Sequence, residues 1–259
     1  MVKMFDVRTV GHVKESPLRT SILIPVFNEQ GNIGQVVEEC LKLNPEHIVV
    51  IDDASYDDTP KILKKYGGYP NVDVLTNGTN LGKQGAIKRG FNFVLGSYSD
   101  IDAVVLVDGD MQHPPEYIPK LVSLLTDHDV VITKRSKDEM PFSRKVSNRL
   151  VKLVYYACGI YISDMQTGYR AYNLESSKFI NDNLESKGGY DLEHKIMEIL
   201  AKMAIEKKQP LRIAQYEVPC PYGITESHIG FSDNLSLIAR TVKTALRLRK
   251  YRKTFEKNL

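Results

Sequence analysis

Val104-Val105-Leu106-Val107-Asp108-Gly109-Asp110-Met111-Gln112-His113 is the stretch that decides the fold. An unbroken apolar run this short reads as a strand buried on both faces, and two carboxylates one residue apart follow at its carboxyl end. Gly109 lets the backbone turn tightly, which turns Asp108 and Asp110 toward the same side. Hard oxygen donors in this arrangement favour Mg²⁺ or Mn²⁺ over zinc and suit a cation that also holds a diphosphate. Taken alone, Asp-Gly-Asp is equally an ordinary surface turn. Its weight comes from the rest of the chain.

Working outward, further apolar, β-branched runs recur at 21–26, 47–51, 72–75 and 130–133, beside 103–107 itself. Most are separated by segments of helical periodicity, at about 33–43, 59–65, 83–95, 115–125, 144–157, 191–204 and 234–251. The alternation predicts an α/β fold with a Rossmann-like, doubly wound, mostly parallel sheet. Asn28-Glu29 follows the first strand, Asp52-Asp53 the second and Asp108-Gly109-Asp110 the fourth. Ligands of open α/β sheets bind outside the carboxyl ends of the strands, so three polar clusters converge on one predicted site.

Other phosphate and metal signatures fail. Gly78-Thr79-Asn80-Leu81-Gly82-Lys83-Gln84 is one residue too short for a P-loop and lacks the hydroxyl residue after lysine, and no Gly-x-Gly-x-x-Gly follows the first strand. A calcium loop from Asp108 would need glycine where His113 stands and glutamate where Pro119 stands. No Gly-x-Ser-x-Gly elbow is present.

The 259 residues carry 42% hydrophobic and 26% charged side chains, which suits one enzyme-sized domain. Net charge is +3, yet Arg240, Lys243, Arg247, Arg249, Lys250, Arg252, Lys253 and Lys257 crowd the C-terminus against Glu256. Cys40, Cys158 and Cys220 are widely spaced, which argues against a disulfide framework or zinc site and for a reducing, cytoplasmic setting. The longest membrane-like run, 155–162, is far below the roughly 20 residues that span a bilayer. Instead, Leu235, Ile238, Val242, Ala245 and Leu246 form an apolar stripe beside basic Arg240, Lys243, Arg247 and Lys250. Val146, Leu150, Val154 and Ala157 likewise lie opposite Lys145, Arg149 and Lys152. Such helices either pack on the domain or lie on an anionic lipid surface. With no aromatic ladder or recognisable motif beside the basic tail, nucleic acid is not an expected partner.

Ile24-Pro25-Val26-Phe27-Asn28-Glu29, Asp52-Asp53-Ala54-Ser55-Tyr56-Asp57-Asp58-Thr59, Asn80-Leu81-Gly82-Lys83 and Asp108-Gly109-Asp110-Met111-Gln112-His113-Pro114-Pro115 resemble, in that order, the family 2 glycosyltransferases of GT-A fold. The resemblance covers about 20–222. Arg135, Pro141-Phe142-Ser143-Arg144-Lys145 and Ser163-Asp164-Met165-Gln166-Thr167-Gly168-Tyr169-Arg170-Ala171-Tyr172 make the chain most similar to dolichyl- or polyprenyl-phosphate sugar synthases. On that resemblance, 1–19 is an N-terminal extension, 20–232 the GT-A domain and 233–259 a basic amphipathic C-terminal helix. It implies that Pro25, Asn28 and Glu29 line a nucleotide pocket, that Asp53 accepts hydrogen bonds from the base, and that Asp108, Asp110 and Gln112 hold the metal on the diphosphate. Arg135 and Arg144 would bind the acceptor phosphate, with Arg170 near that anion or the donor diphosphate. The chain departs from the pattern at Asn148, where Ser is common, in the short segment between Arg135 and Pro141, and at Glu226-Ser227-His228, with Ile224 near a usual arginine.

The expected reaction is therefore inverting, metal-dependent transfer of a sugar from a UDP- or GDP-linked donor to polyprenyl or dolichyl phosphate at the cytoplasmic face of a membrane, with a membrane protein as a further possible partner. Lys83 adds positive charge at the diphosphate or is a solvated helix-start lysine. A phosphate acceptor is already largely ionised at neutral pH and needs cations, which Arg135, Arg144 and Arg170 would supply. The rival is a hydroxyl acceptor on a glycan or glycolipid, for which Asp191 or Glu193 would be the base. A membrane-peripheral scaffold that binds nucleotide sugar without turnover is the non-enzymatic alternative.

Overall fold

The computed structural model describes residues 3–11, 19–136, 142–187, 192–220 and 231–259, without the side chains of 142–147 and 231–238. Its strands are β1 (Phe5–Thr9), β2 (Thr20–Val26), β3 (His47–Asp52), β4 (Val72–Thr76), β5 (Ala103–Leu106), β6 (Val130–Arg135), β7 (Arg170–Asn173) and β8 (Leu211–Val218). Its helices are α1 (Ile33–Lys42), α2 (Thr59–Leu63), α3 (Gly82–Ser97), α4 (Ile118–Leu124), α5 (Phe142–Ala157), α6 (Leu174–Asn183), α7 (Leu192–Lys207) and α8 (Phe231–Asn258).

All eight strands join one sheet in the order β1-β8-β6-β7-β5-β2-β3-β4. Every pairing is parallel except those of β7, which runs antiparallel to both β5 and β6. The mostly parallel α/β sheet is thus as expected, and β1, inside the expected N-terminal extension, adds its edge strand beside β8.

Strand alternation separates two apolar layers. Ile22, Ile24 and Val26 of β2 face α1 and α4 through Val36, Val37 and Leu121, while Leu23 joins Phe91, Val94, Met197 and Leu248 on the other side. α3 lies so close to the sheet that a Cβ on Gly90 would sit 2.9 Å from Ile51 Cδ1. α8 packs on α7 and α5. Its buried face is Thr241, Thr244, Ala245, Leu248 and Phe255. One residue of the expected apolar stripe, Ala245, is therefore turned into the protein, while Val242 and Leu246 stay outside. α5 is likewise rotated from the expected stripe: Val151 and Tyr155 are buried, and Leu150 and Leu153 are exposed. Leu235, Ile238 and Val146 lie outside the described side chains.

Candidate active site

β2, β3 and β5 end at one edge of the sheet, and the loop after each contains a non-glycine residue with left-handed backbone: Asn28 (φ 55°), Ala54 (φ 62°) and Met111 (φ 60°). Such conformations cost on the order of 1–3 kcal/mol each where asparagine does not ease them, and persist where the surroundings over-determine them. Here the surroundings are a hydrogen-bonded seam. Asn28 N–H donates to Ser55 Oγ (2.9 Å), Tyr56 N–H to Asn28 Oδ1 (3.0 Å), Ser55 N–H to Asp52 Oδ1 (3.0 Å) and Gln112 N–H to Asp110 Oδ1 (3.0 Å). Asn28, expected in the nucleotide pocket, thus staples the first two loops together.

Between these loops opens a cleft of about 270 Å³ lined by Pro25, Val26, Phe27, Glu29, Asp53, Lys83, Ala86, Asp108, Gly109 and Asp110. Of the eight residues expected at the nucleotide and metal, Pro25, Glu29, Asp53, Lys83, Asp108 and Asp110 line it, whereas Asn28 and Gln112 do not. Asp53 is fixed by Asn77 Nδ2 (2.6 Å) and Leu81 N–H (2.9 Å), both donating to Oδ1.

The charges inside are closely coupled. Lys83 Nζ lies 2.7 Å from Asp108 Oδ1 and 3.2 Å from Glu193 Oε1, and His113 Nδ1 lies 3.4 Å from Asp108 Oδ2. Burial opposes ionisation of Asp108, but the Lys83 ammonium and then His113 outweigh it and hold the pKa below the ordinary value. Asp110 is pushed the other way, first by burial and then by the charge of Asp108. Burial likewise opposes the Glu193 carboxylate, but Lys83 and Arg170 keep its pKa low. A Cβ on Gly168 would fall 2.7 Å from both Lys83 Nζ and Asp108 Oδ2, so the loop into β7 meets this ion pair with bare backbone. His113 and Gly168 stood in the quoted motifs without an assigned role. Gly168 lies far in sequence from Lys83 and Asp108 and no spacing signal points to its contact, whereas His113 meets an Asp108 that stands in its own motif.

The arginines expected at the acceptor are placed differently. Arg135 Nε and Nη2 grip Asp164 Oδ2 (2.8 Å) and Oδ1 (2.9 Å) in a largely buried fork. Arg170 is 1% exposed, and its donors meet the carbonyls of Thr167 (2.9 Å), Met165 (2.6 Å) and Glu193 (3.3 Å). As placed, Arg170 braces the loop into β7 and the start of α7, not an anion in the cleft, because it presents almost no surface. Thr133 Oγ1, which contacts Thr167 Oγ1 (2.8 Å) and donates to Tyr169 O (2.9 Å), ties the same loop to β6. The Arg144 side chain, Asp191 and Glu226-Ser227-His228 lie outside the described residues.

Among the described residues no group of three or more His, Cys, Asp or Glu side chains is disposed to hold a metal ion. Asp108 and Asp110 nevertheless fit a hard divalent cation, since Asp110 is pushed up first by burial and then by the charge of Asp108, and such an ion would offset both. Two protein carboxylates completed by substrate phosphates are a usual environment for Mg²⁺.

The family model for glycosyl transferase family 2 matches residues 21–184. An uncharacterised protein of Methanocaldococcus jannaschii is 35% identical over 191 residues, 70% of this chain and 81% of its own. The undecaprenyl-phosphate 4-deoxy-4-formamido-L-arabinose transferase of Yersinia enterocolitica is 34% identical over 164 residues, which cover 60% of this chain but only 48% of that longer protein. Among solved structures, glucosyl-3-phosphoglycerate synthase from Mycobacterium tuberculosis, crystallised with UDP, has a TM-score of 0.67 at 17% identity, with 95% of this chain and 88% of that chain covered. The same enzyme with Mn²⁺, UDP and phosphoglyceric acid has a TM-score of 0.65 at 19% identity, covering 95% and 86%. The GT-A fold and the match across the motifs that build the cleft lead to one conclusion: the chain belongs to glycosyl transferase family 2.

Proposed function

We propose that the protein transfers a sugar, with inversion, from a nucleoside-diphosphate donor to a polyprenyl or dolichyl phosphate at a membrane surface. The observation that carries the donor half is the cleft itself, whose lining brings Asp53 and Glu29 together with Asp108 and Asp110. Asp53 would accept from the base, with Oδ1 already fixed by Asn77 and Leu81 and Oδ2 left for the ligand. Asp108 and Asp110 would hold the diphosphate's cation, with Gln112 beside them; Mg²⁺ or Mn²⁺ there would supply Lewis-acid stabilisation of the charge building on the leaving diphosphate. Lys83 adds an ammonium at the cleft.

For the acceptor, Glu193 favours a phosphate. A carboxylate tied to Lys83 at 3.2 Å, with its pKa held low, is a poor base for a hydroxyl, whereas a phosphate monoester arrives already ionised. The name of the Yersinia relative, an undecaprenyl-phosphate sugar transferase, agrees with this choice. Arg135 and Arg144 remain the proposed acceptor ligands, and Arg135 would do so while anchored by Asp164.

Peripheral membrane binding is supported by Leu150 and Leu153 on α5 and Val242 and Leu246 on α8, all exposed on helices that pack together. Leu153 and Leu246 are more than half exposed, at 56% and 55%. Lys152 and Lys243 accompany them, which suits anionic lipid. Among the described residues no helix is long and apolar enough to cross a membrane.

The test is transfer from radiolabelled UDP- and GDP-sugars into organic-extractable polyprenyl phosphate, with and without EDTA. Chelator-sensitive transfer from one donor is expected. Transfer only to a water-soluble glycan would overturn the acceptor.

A further inference from the structure

Lys83, at the start of α3, makes its shortest contact, 2.7 Å, with Asp108, a carboxylate assigned above to the metal. Glu193 from α7 holds the same ammonium at 3.2 Å, and the backbone of Gly168 closes in on the pair. The compensation is one-sided. Lys83 Nζ at 2.7 Å and His113 Nδ1 at 3.4 Å both face Asp108, whereas Asp110 accepts the Gln112 N–H. A dication approaching the cleft thus finds Asp108 already covered by an ammonium.

We propose that Lys83 is a resident counter-cation that occupies Asp108 until a nucleoside diphosphate draws its ammonium away, so that metal and nucleotide enter together. This rests on the metal and donor reading above and adds an order of events to it. The diphosphate supplies anionic oxygens for Lys83, Glu193 keeps the lysine tethered beside the cleft, and the vacated Asp108 joins Asp110 as a ligand. Without nucleotide, the dication must displace the ammonium at full Coulombic cost in a partly buried site. The arrangement keeps the metal from settling in a cleft that has no substrate.

The test is Mn²⁺ binding to the full chain, followed by the electron paramagnetic resonance of free Mn²⁺, with no nucleotide and with UDP or GDP. Wild type is expected to bind Mn²⁺ weakly alone and at least roughly tenfold more tightly with one nucleotide. Lys83→Gln is expected to tighten nucleotide-free binding roughly tenfold and to shrink the gain that nucleotide brings. Glu193→Gln, which leaves the ammonium to Asp108 alone, is expected to weaken nucleotide-free binding and serves as an independent second variant. Lys88→Gln on the same helix, whose ammonium meets the Asn181 carbonyl, controls for general loss of charge and is expected to match wild type. Unchanged nucleotide-free affinity in Lys83→Gln, or an equal rise in Lys88→Gln, would overturn the proposal. Absence of Mn²⁺ binding by wild type even with both nucleotides would instead remove the metal reading, and the proposal with it.

Discussion

At the ends of β2, β3 and β5 the charged side chains line an open cleft, whereas between β6 and β7 they are satisfied inside the protein. Asp108 and Asp110 sit one residue apart with opposed pKa shifts, the first held down chiefly by Lys83 against its burial and the second pushed up by burial and by the charge of Asp108. Arg135 and Asp164 form a bidentate pair with both partners largely buried, and Arg170 saturates three carbonyls. The contrast teaches that charged groups at neighbouring strand ends are held differently: the carboxylates of the first rim line the cleft, while the Arg135–Asp164 pair and Arg170 brace the loop that meets it.

The sharpest way to break this contrast is to remove Asp164. Asp164→Ala leaves the Arg135 guanidinium buried without its fork and is expected to destabilise the fold by about 3–5 kcal/mol, read by urea denaturation. The pair also predicts acid behaviour. Burial raises the Asp164 pKa, but Arg135 more than reverses this and holds it below the ordinary value. A depressed folded pKa contributes stability that is present above the unfolded value of about 3.9 and is lost as pH falls through the folded one. Wild type should lose stability progressively below about pH 4, and Asp164→Asn should flatten that limb of the curve.

Asp110→Asn is the counterpart on the open rim. Turnover is expected to fall by roughly a hundred- to a thousandfold in the radiolabel transfer assay, with a melting temperature at or above wild type because the carboxylate repulsion is gone. A large drop in melting temperature would erase the distinction between the rims. Gly168→Ala tests where they meet. Its Cβ would press on Asp108 and Lys83 together, and the expected cost is about tenfold in turnover with little change in melting temperature. The smallest effect belongs to the outer surface. Leu153→Glu with Leu246→Glu should reduce sedimentation with anionic liposomes severalfold and leave the melting temperature unchanged, since both side chains are exposed.

How much was legible beforehand follows the same division. The strands at 21–26, 47–51, 103–107 and 130–133 lie inside the sheet, where burial on both faces writes itself as an apolar run, while 72–75 forms the edge strand β4 and is only partly buried. β7 was not legible because four residues beginning with a buried Arg170 carry no such run, and β8 was missed because Arg212, Gln215 and Glu217 interrupt its apolar residues. α6 follows directly on β7 with a polar sequence and was missed with it. In the cleft, carboxylates at strand ends were visible because strand position alone fixes their edge. The Arg135–Asp164 fork was not, because its members stand 29 residues apart and only the return of β7 brings their loops together.

That reversed strand has a consequence for how the architecture can diversify. β7 enters the sheet at the end where β5 and β6 leave it, with Arg170 opposite Leu106 and Ile132. The segment preceding it is therefore a visitor to the rim that no parallel crossover depends on. Arg135, Thr133 and Arg170 tie that segment to β6 and the start of α7, so its length can vary without altering strand order only where those ties are spared, and the strand reversal carries a fixed backbone to Asp108.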